Sequence, residues 1–258
     1  MFTIFKTMLL GIVRDAHTLF WTILFPVAML CGLGLYFDDP GYAERLLAGV
    51  LAMNVLFGAT MVTAFNVMTQ RNRGVYKLLR ATPFSTAAFI AAMTGARTVL
   101  ALIVSVSILV TAVLLFGVSL SPAGLAGILL ALFLGSICFT AVGFFAANLS
   151  RDESNVNMIS NLISFPMLFA SEAFYSLQHA PVWVKTAAQV QPFHYFVKAL
   201  NLAVTGGRFS GELWTALAML TGFAALFLAA AAFTFRWDTE RASRGRALYR
   251  TSQRHNPM

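Results

Sequence analysis

The sequence predicts an all-α integral membrane protein with six transmembrane helices and cytoplasmic N- and C-termini, forming a single transmembrane domain over residues 1–258. Three observations carry this expectation. Hydrophobic residues make up 59% of the chain even without its 18 glycines, whereas a soluble domain reaches about 45–50% with glycine counted. Charged residues are only 11%, against about 25% in soluble domains. Finally, the lysines and arginines fall unevenly between the loops. So little polar surface excludes a soluble enzyme, a nucleic-acid binder and a disordered chain, because the exterior of a soluble protein must stay wet.

Each span follows from a run without charge, since the bilayer core needs about 20 mostly apolar residues. Ala16–Phe37 lies between Asp15 and Asp38, and Leu46–Gln70 between Arg45 and Arg71. Thr98–Ser150 is free of charge throughout, and Gly117-Val118-Ser119-Leu120-Ser121-Pro122 splits it with turn-forming residues. A further span begins near Ser154, and the last runs from Leu213 to Phe235. The expected spans are 19–37, 47–69, 98–117, 123–148, 155–176 and 213–235.

Orientation follows from the basic residues. With both termini inside, fourteen of the 18 lysines and arginines are cytoplasmic, among them Arg71, Arg73, Lys77, Arg80 and Arg97. Only Arg45, Lys185, Lys198 and Arg208 are outside. The net charge of +8 is therefore a topology signal plus a basic tail, 236–258, suited to anionic lipid. It does not signal nucleic-acid binding. No cleavable signal peptide is expected, because Arg14 and Asp15 interrupt any early apolar core.

Residues 1–17 carry apolar side chains at helical spacing, from Met1/Phe2 through Ile4/Phe5, Met8/Leu9 and Ile12/Val13 to Ala16. This predicts an amphipathic interfacial helix. The cytoplasmic segment 70–86 reads either as a solvated basic loop or as a short crosswise helix. In the second reading Val75, Leu78 and Leu79 share one face and Arg73, Lys77 and Arg80 another, and Thr82-Pro83 starts a new helix. The extracytoplasmic segment 177–211 is long for a structureless loop. Pro181–Lys185 and Phe193–Val204 look helical within it, and with Trp183 and Tyr195 they suit short re-entrant helices at the outer interface.

The sequence carries no catalytic or metal-binding constellation. His17, His179, His194 and His255 form no ligand pair, there is no phosphate-binding Gly-x-x-x-x-Gly-Lys-Ser/Thr loop, and Cys31 and Cys138 read as small buried hydrophobes. Polar groups inside spans are more informative. Asn54 and Asn66 lie in the second span, and Ser154, Asn157, Asn161 and Ser164 share one face of the fifth. Such groups either glue helices together or line a polar path. Glu172, near the outer end of the fifth span, is either a functional intramembrane carboxylate or an interfacial one, wetted or paired with Lys185 or Lys198.

Two stretches resemble the permease subunit of the type-2 ABC transporters, exporters of drugs, lipids and polysaccharides. Arg71-Asn72-Arg73-Gly74-Val75-Tyr76-Lys77-Leu78-Leu79-Arg80-Ala81-Thr82-Pro83-Phe84-Ser85 is similar to that family's Arg-x-x-Gly…Leu-(Arg/Lys)-x-Thr-Pro segment. Phe165-Pro166, Ser171 to Tyr175, Pro181-Val182-Trp183, Gln191-Pro192-Phe193-His194-Tyr195 and Ala199-Leu200 resemble its signature before the last span. The order of elements agrees over nearly the whole chain.

The resemblance implies a homodimer, or a pair with a paralogue, surrounding a substrate path. Two copies of a cytoplasmic ATP-binding subunit would hold ATP and Mg, leaving this chain without cofactor, catalytic residue or metal. Arg73, Gly74, Val75, Tyr76, Lys77, Leu78, Leu79, Arg80, Thr82 and Pro83 would form the ATPase-coupling helix. Asn54, Asn66, Asn157, Asn161, Ser164 and Glu172 would line the path for an amphipathic small molecule, drug, lipid or glycan. The implied partners are membrane lipid and protein, with no nucleic acid, and the implied location is a cell membrane, the bacterial cytoplasmic one. The family often has Ser-Gly where this chain has Ser171-Glu172, a departure that bears on the outer gate. The alternatives are an ion- or proton-coupled secondary transporter working without an ATPase, and an anchoring subunit with no path.

Overall fold

The structure, a computed structural model, describes residues 16–37, 40–74, 86–174, 177, 180–206 and 209–234. Nearly all of the expected interfacial helix, the tail, and residues 75–85 of the expected coupling segment lie outside them. The described residues form eight helices, in order: α1 Ala16–Phe37, α2 Pro40–Asn72, α3 Thr86–Phe116, α4 Pro122–Leu149, α5 Glu153–Phe169, α6 Val182–Gln189, α7 Pro192–Gly206 and α8 Gly211–Thr234. There is no strand among the described residues.

Tyr42–Asn72, Ala91–Phe116, Pro122–Leu149 and Gly211–Thr234 are long and apolar enough to cross a bilayer. Of the other two expected spans, α1 has 22 residues, and α5 only 17. The expected fifth span, 155–176, thus needs correction at its outer end. The helix stops at Phe169, and bends occupy 171–174. The second and third helices extend before the expected spans 47–69 and 98–117: α2 begins at Pro40, which suits a first turn, and α3 at Thr86.

Local chemistry fixes the boundaries. Gly117 closes α3 with φ of 62°, in the left-handed region that glycine tolerates. The Ser121 hydroxyl then accepts from Gly124 N–H at 2.9 Å, and Pro122 occupies the first turn of α4. Asp152 does the same for α5, accepting from Asn155 N–H at 2.8 Å. These caps place a turn where the sequence shows its Gly-Val-Ser-Leu-Ser-Pro break.

The core is built around α4, which packs against α2, α3, α7 and α8. Small residues let it approach closely, as expected where van der Waals packing rather than water exclusion holds helices together. The Phe139 ring of α4 meets Phe193 and Phe196 of α7, with centroids 5.8 and 5.5 Å apart. Gly135 lies directly under the Phe196 ring. Thr60 of α2 donates its hydroxyl to the Phe139 carbonyl at 3.2 Å, and Gly143 faces the backbone of that same turn of α2. The two short helices of the pre-final segment therefore differ: α7 is a core element, whereas α6 exposes Val182 and Trp183.

A Cβ on Gly143 would lie 2.5 Å from the Thr60 carbonyl oxygen, which is backbone and cannot step aside, whereas one on Gly222 of α8 meets nothing within 4 Å. Gly143→Ala is expected to cost about 1–3 kcal/mol. Gly222→Ala should be neutral or stabilising by up to about 1 kcal/mol through helix propensity. Thermal unfolding of the two variants in detergent checks both signs.

Candidate functional site

A cavity of about 650 Å³ opens between α1, α2 and α5, within the range of about 300–1,000 Å³ usual for small-molecule sites. Its wall is mostly apolar, with Phe25 and Met29 from α1, Met53, Phe57 and Phe65 from α2, and Phe165 from α5. The rings of Phe57 and Phe165 meet edge to face at 5.5 Å. Gly58 leaves open space at the wall.

The polar part of the wall comes from Asn54, Asn157, Ser160 and Asn161. Asn161 donates its amide to the Asn157 side-chain oxygen at 3.1 Å, an i,i+4 pair along α5. Ser160 and Ser164 are fully buried, and neither hydroxyl has a hydrogen-bond partner among the described residues. The structure therefore brings Asn54, Asn157 and Asn161 to one cavity. Asn66 lies three turns further along α2, half-buried, and does not line it. Neither do Ser164 and Glu172. Phe57, Phe165 and Gly58 join the wall without a sequence signal, since apolar residues facing a cavity look like those facing lipid.

Glu172 sits in the turn after α5, not in the helix. It is half-buried there and accepts from Leu177 N–H at 3.2 Å. Lys198, one of the two bases considered for it, lies 3.2 Å from Glu212. The turn is sealed by Gln191, whose amide donates to the Met167 and Ala170 carbonyls at 3.1 and 2.5 Å. These are last-turn oxygens of α5 that would otherwise lack partners. Gly49 of α2 is needed on the opposite side, where a Cβ would run into the Ala173 carbonyl oxygen.

Burial pushes the His194 imidazole below its ordinary value of 6.5; Glu172 pulls it back up, and Lys198 pushes it further down. Its Nδ1 is buried without a hydrogen-bond partner among the described residues.

At the C-terminal end of α2, Arg73 N–H bonds to the Thr69 carbonyl at 3.0 Å and Gly74 N–H to the Arg71 carbonyl at 3.1 Å. Gly74, with φ of 72°, ends the helix in the left-handed region. Arg73 is exposed. Val75, Tyr76, Lys77, Leu78, Leu79, Arg80, Thr82 and Pro83 lie outside the described residues. No group of three or more metal-ligating side chains occurs among the described residues.

Four helices long and apolar enough to cross a bilayer, with a partly polar cavity on one flank of the bundle, define a multi-pass membrane protein. The sequence model of the ABC-2 type transporter family matches residues 1–205. The chain belongs to that family, as a permease component of an ABC transporter. The family's membrane domain has no nucleotide-binding site of its own. No curated protein matches the chain.

Because the folded state holds His194 below its ordinary value, the unfolded chain binds the proton more readily. Stability is therefore full above pH of about 6.5 and is lost as the pH falls through that value towards the folded-state one. A thermal-shift series from pH 8 to 5 should show this decline, and His194→Gln should flatten it.

Proposed function

We propose that the chain is the membrane half of an ATP-driven exporter, in which two copies face one another across α1, α2 and α5. The observation that carries this reading is the cavity on that flank, with Asn54, Asn157 and Asn161 on its wall. Asn157 is exposed, and an exposed polar side chain within a bilayer seeks a polar partner across a helix interface. A second copy, or a paralogue, covers that flank and turns the cavity into a path.

In this reading α1 and α5 complete a set of six spans with both termini inside, and α6 and α7 enter from the outer side. The coupling segment is Arg73 to Pro83. It opens at the end of α2, where Gly74 adopts a φ of 72°, and it seats in two cytoplasmic ATP-binding subunits that hold ATP and Mg. Leu78 and Leu79 pack into the ATPase, while Arg73, Lys77 and Arg80 meet acidic groups or headgroups. The cargo is an amphipathic small molecule, drug, lipid or glycan, matching an apolar wall with a few amide groups. The membrane is the bacterial cytoplasmic one.

Glu172 helps to distinguish this reading from an ion-coupled carrier. A carrier of that kind buries its titrating carboxylate in the path, whereas Glu172 holds a turn outside the cavity wall. Its role is then to shape the outer end of α5.

The test is to change Leu78 and Leu79 to Asp and to co-purify the permease with its ATP-binding subunit. Two charges in an apolar contact should lower recovery of the complex by about tenfold or more. Membrane-bound ATPase activity should fall with it. Undiminished assembly and activity would remove Leu78 and Leu79 from the coupling contact.

A further inference from the structure

Arg71 closes α2 at the inner face, yet it does not point into water: it is only 6% exposed. Its guanidinium reaches across to the end of α4. Nη1 donates to the Ala147 carbonyl at 3.3 Å and Nη2 to the Asn148 side-chain oxygen at 3.0 Å. The Asn148 amide nitrogen then donates to the Ala231 carbonyl and to the Thr234 hydroxyl, both at 3.1 Å, in the last turn of α8. The amide has only one possible orientation here. A guanidinium has no acceptor, so the Asn148 oxygen must face it and the nitrogen must face α8.

Each link satisfies a helix end. The last carbonyls of a helix have no partner within it and carry the negative pole of its dipole. Arg71 serves the end of α4 with a positive charge, and Asn148 of α4 in turn serves the end of α8. Asn72, next to Arg71, donates to Glu153 in the first turn of α5 at 3.1 Å. The inner ends of α2, α4, α5 and α8 are thus joined at the point where α2 gives way to the cytoplasmic segment.

We infer that Arg71 and Asn148 are positioning residues for energy coupling: they make the inner ends of α2, α4 and α8 move as one body when the cytoplasmic segment is pushed. Apolar contacts between helices are non-directional, and packed helices can slide past one another by shear. A two-pronged guanidinium bond to a carbonyl and an amide fixes axial register and rotation together. Displacement applied just beyond Arg73 is therefore delivered to α4 and α8 as well as to α2. Without the clamp it would be lost as slippage at the α2–α4 seam. This inference rests on the ATP-coupled reading given above.

The test separates coupling from stability. Arg71→Met with Asn148→Leu replaces the clamp by an apolar pair; removing both partners together costs less than stranding one of them, although the Ala147 and Ala231 carbonyls lose these donors. Asn148→Asp is the second variant. It keeps the acceptor for Arg71 but cannot donate to α8. All variants carry Met53→Cys in the cavity wall, with Cys31 and Cys138 replaced by alanine, and are reconstituted with the ATP-binding subunit in liposomes. A membrane-impermeant maleimide applied from the outer side reports opening of the cavity.

In the parent, ATP should raise the labelling rate by about tenfold. The double variant should stay folded and retain ATPase binding and ATP hydrolysis, while ATP changes its labelling by less than about twofold. Asn148→Asp should fall between the two, and it carries the test if the double variant does not fold. Parent-like ATP-dependent labelling in the folded variants would overturn the clamp and leave the ATP-coupled reading intact. Absence of ATP-dependent labelling in the parent would overturn that reading, and the clamp with it.

Discussion

Helix ends within or beside a bilayer cannot rely on water, and this constraint governs the structure. A last-turn carbonyl away from water needs a donor, either from the residues that end the helix, as Ser150 serves Ala146 and Ala147, or from another helix. The chain meets the need with a small number of polar side chains, each reaching from one helix to the end of another. Gln191 closes α5, Arg71 closes α4 and Asn148 closes α8. Because these donors are long-range in sequence, they fix helix order and axial register together. Apolar packing around Phe139, Phe193 and Phe196 then fills the space that the caps define.

The result is an asymmetric molecule. On one side, α2, α4, α7 and α8 are held at close range by glycines and by polar caps. On the other, α1 and α5 meet α2 around a cavity, with aromatic rings and three asparagines on its wall. Thr60 and Gly143 bring α2 against α4, while Asn54 and Phe57 of the same helix face the cavity. Helix α2 thus belongs to both sides, and its C-terminal end leads in sequence to the segment proposed for coupling. Whatever acts on that segment acts first on the helix that forms the longest wall of the cavity.

Much of this was legible in the sequence. Runs without charge located the helices, the Ser121-Pro122 pair marked the start of α4, and spacing of three and four placed Asn157 and Asn161 together on α5. What escaped notice depends on distant partners. Arg71 and Arg97 counted as cytoplasmic charges, yet both are buried, at 6% and 8% exposure. No local pattern announces this, because the acceptor for Arg71 lies on α4, 77 positions away. The end of α5 escaped for a related reason. Pro166 sits inside the helix without breaking it, and the stop at Phe169 depends on Gln191, which is 21 positions beyond Ala170. Glu172 moved from helix to turn as a consequence.

At 17 residues, α5 rises about 25 Å, whereas the hydrocarbon layer is about 30 Å thick. In the six-span reading proposed above, the bilayer thins beside this helix, or the bend from Ser171 to Phe174 sinks among acyl chains. The penalty is a fraction of a kcal/mol for each ångström of mismatch. Lipid tail length thereby acts as a load on the outer end of α5. A thinner membrane would relieve that load, and a thicker one would press the Gln191-sealed turn towards the cavity beneath it.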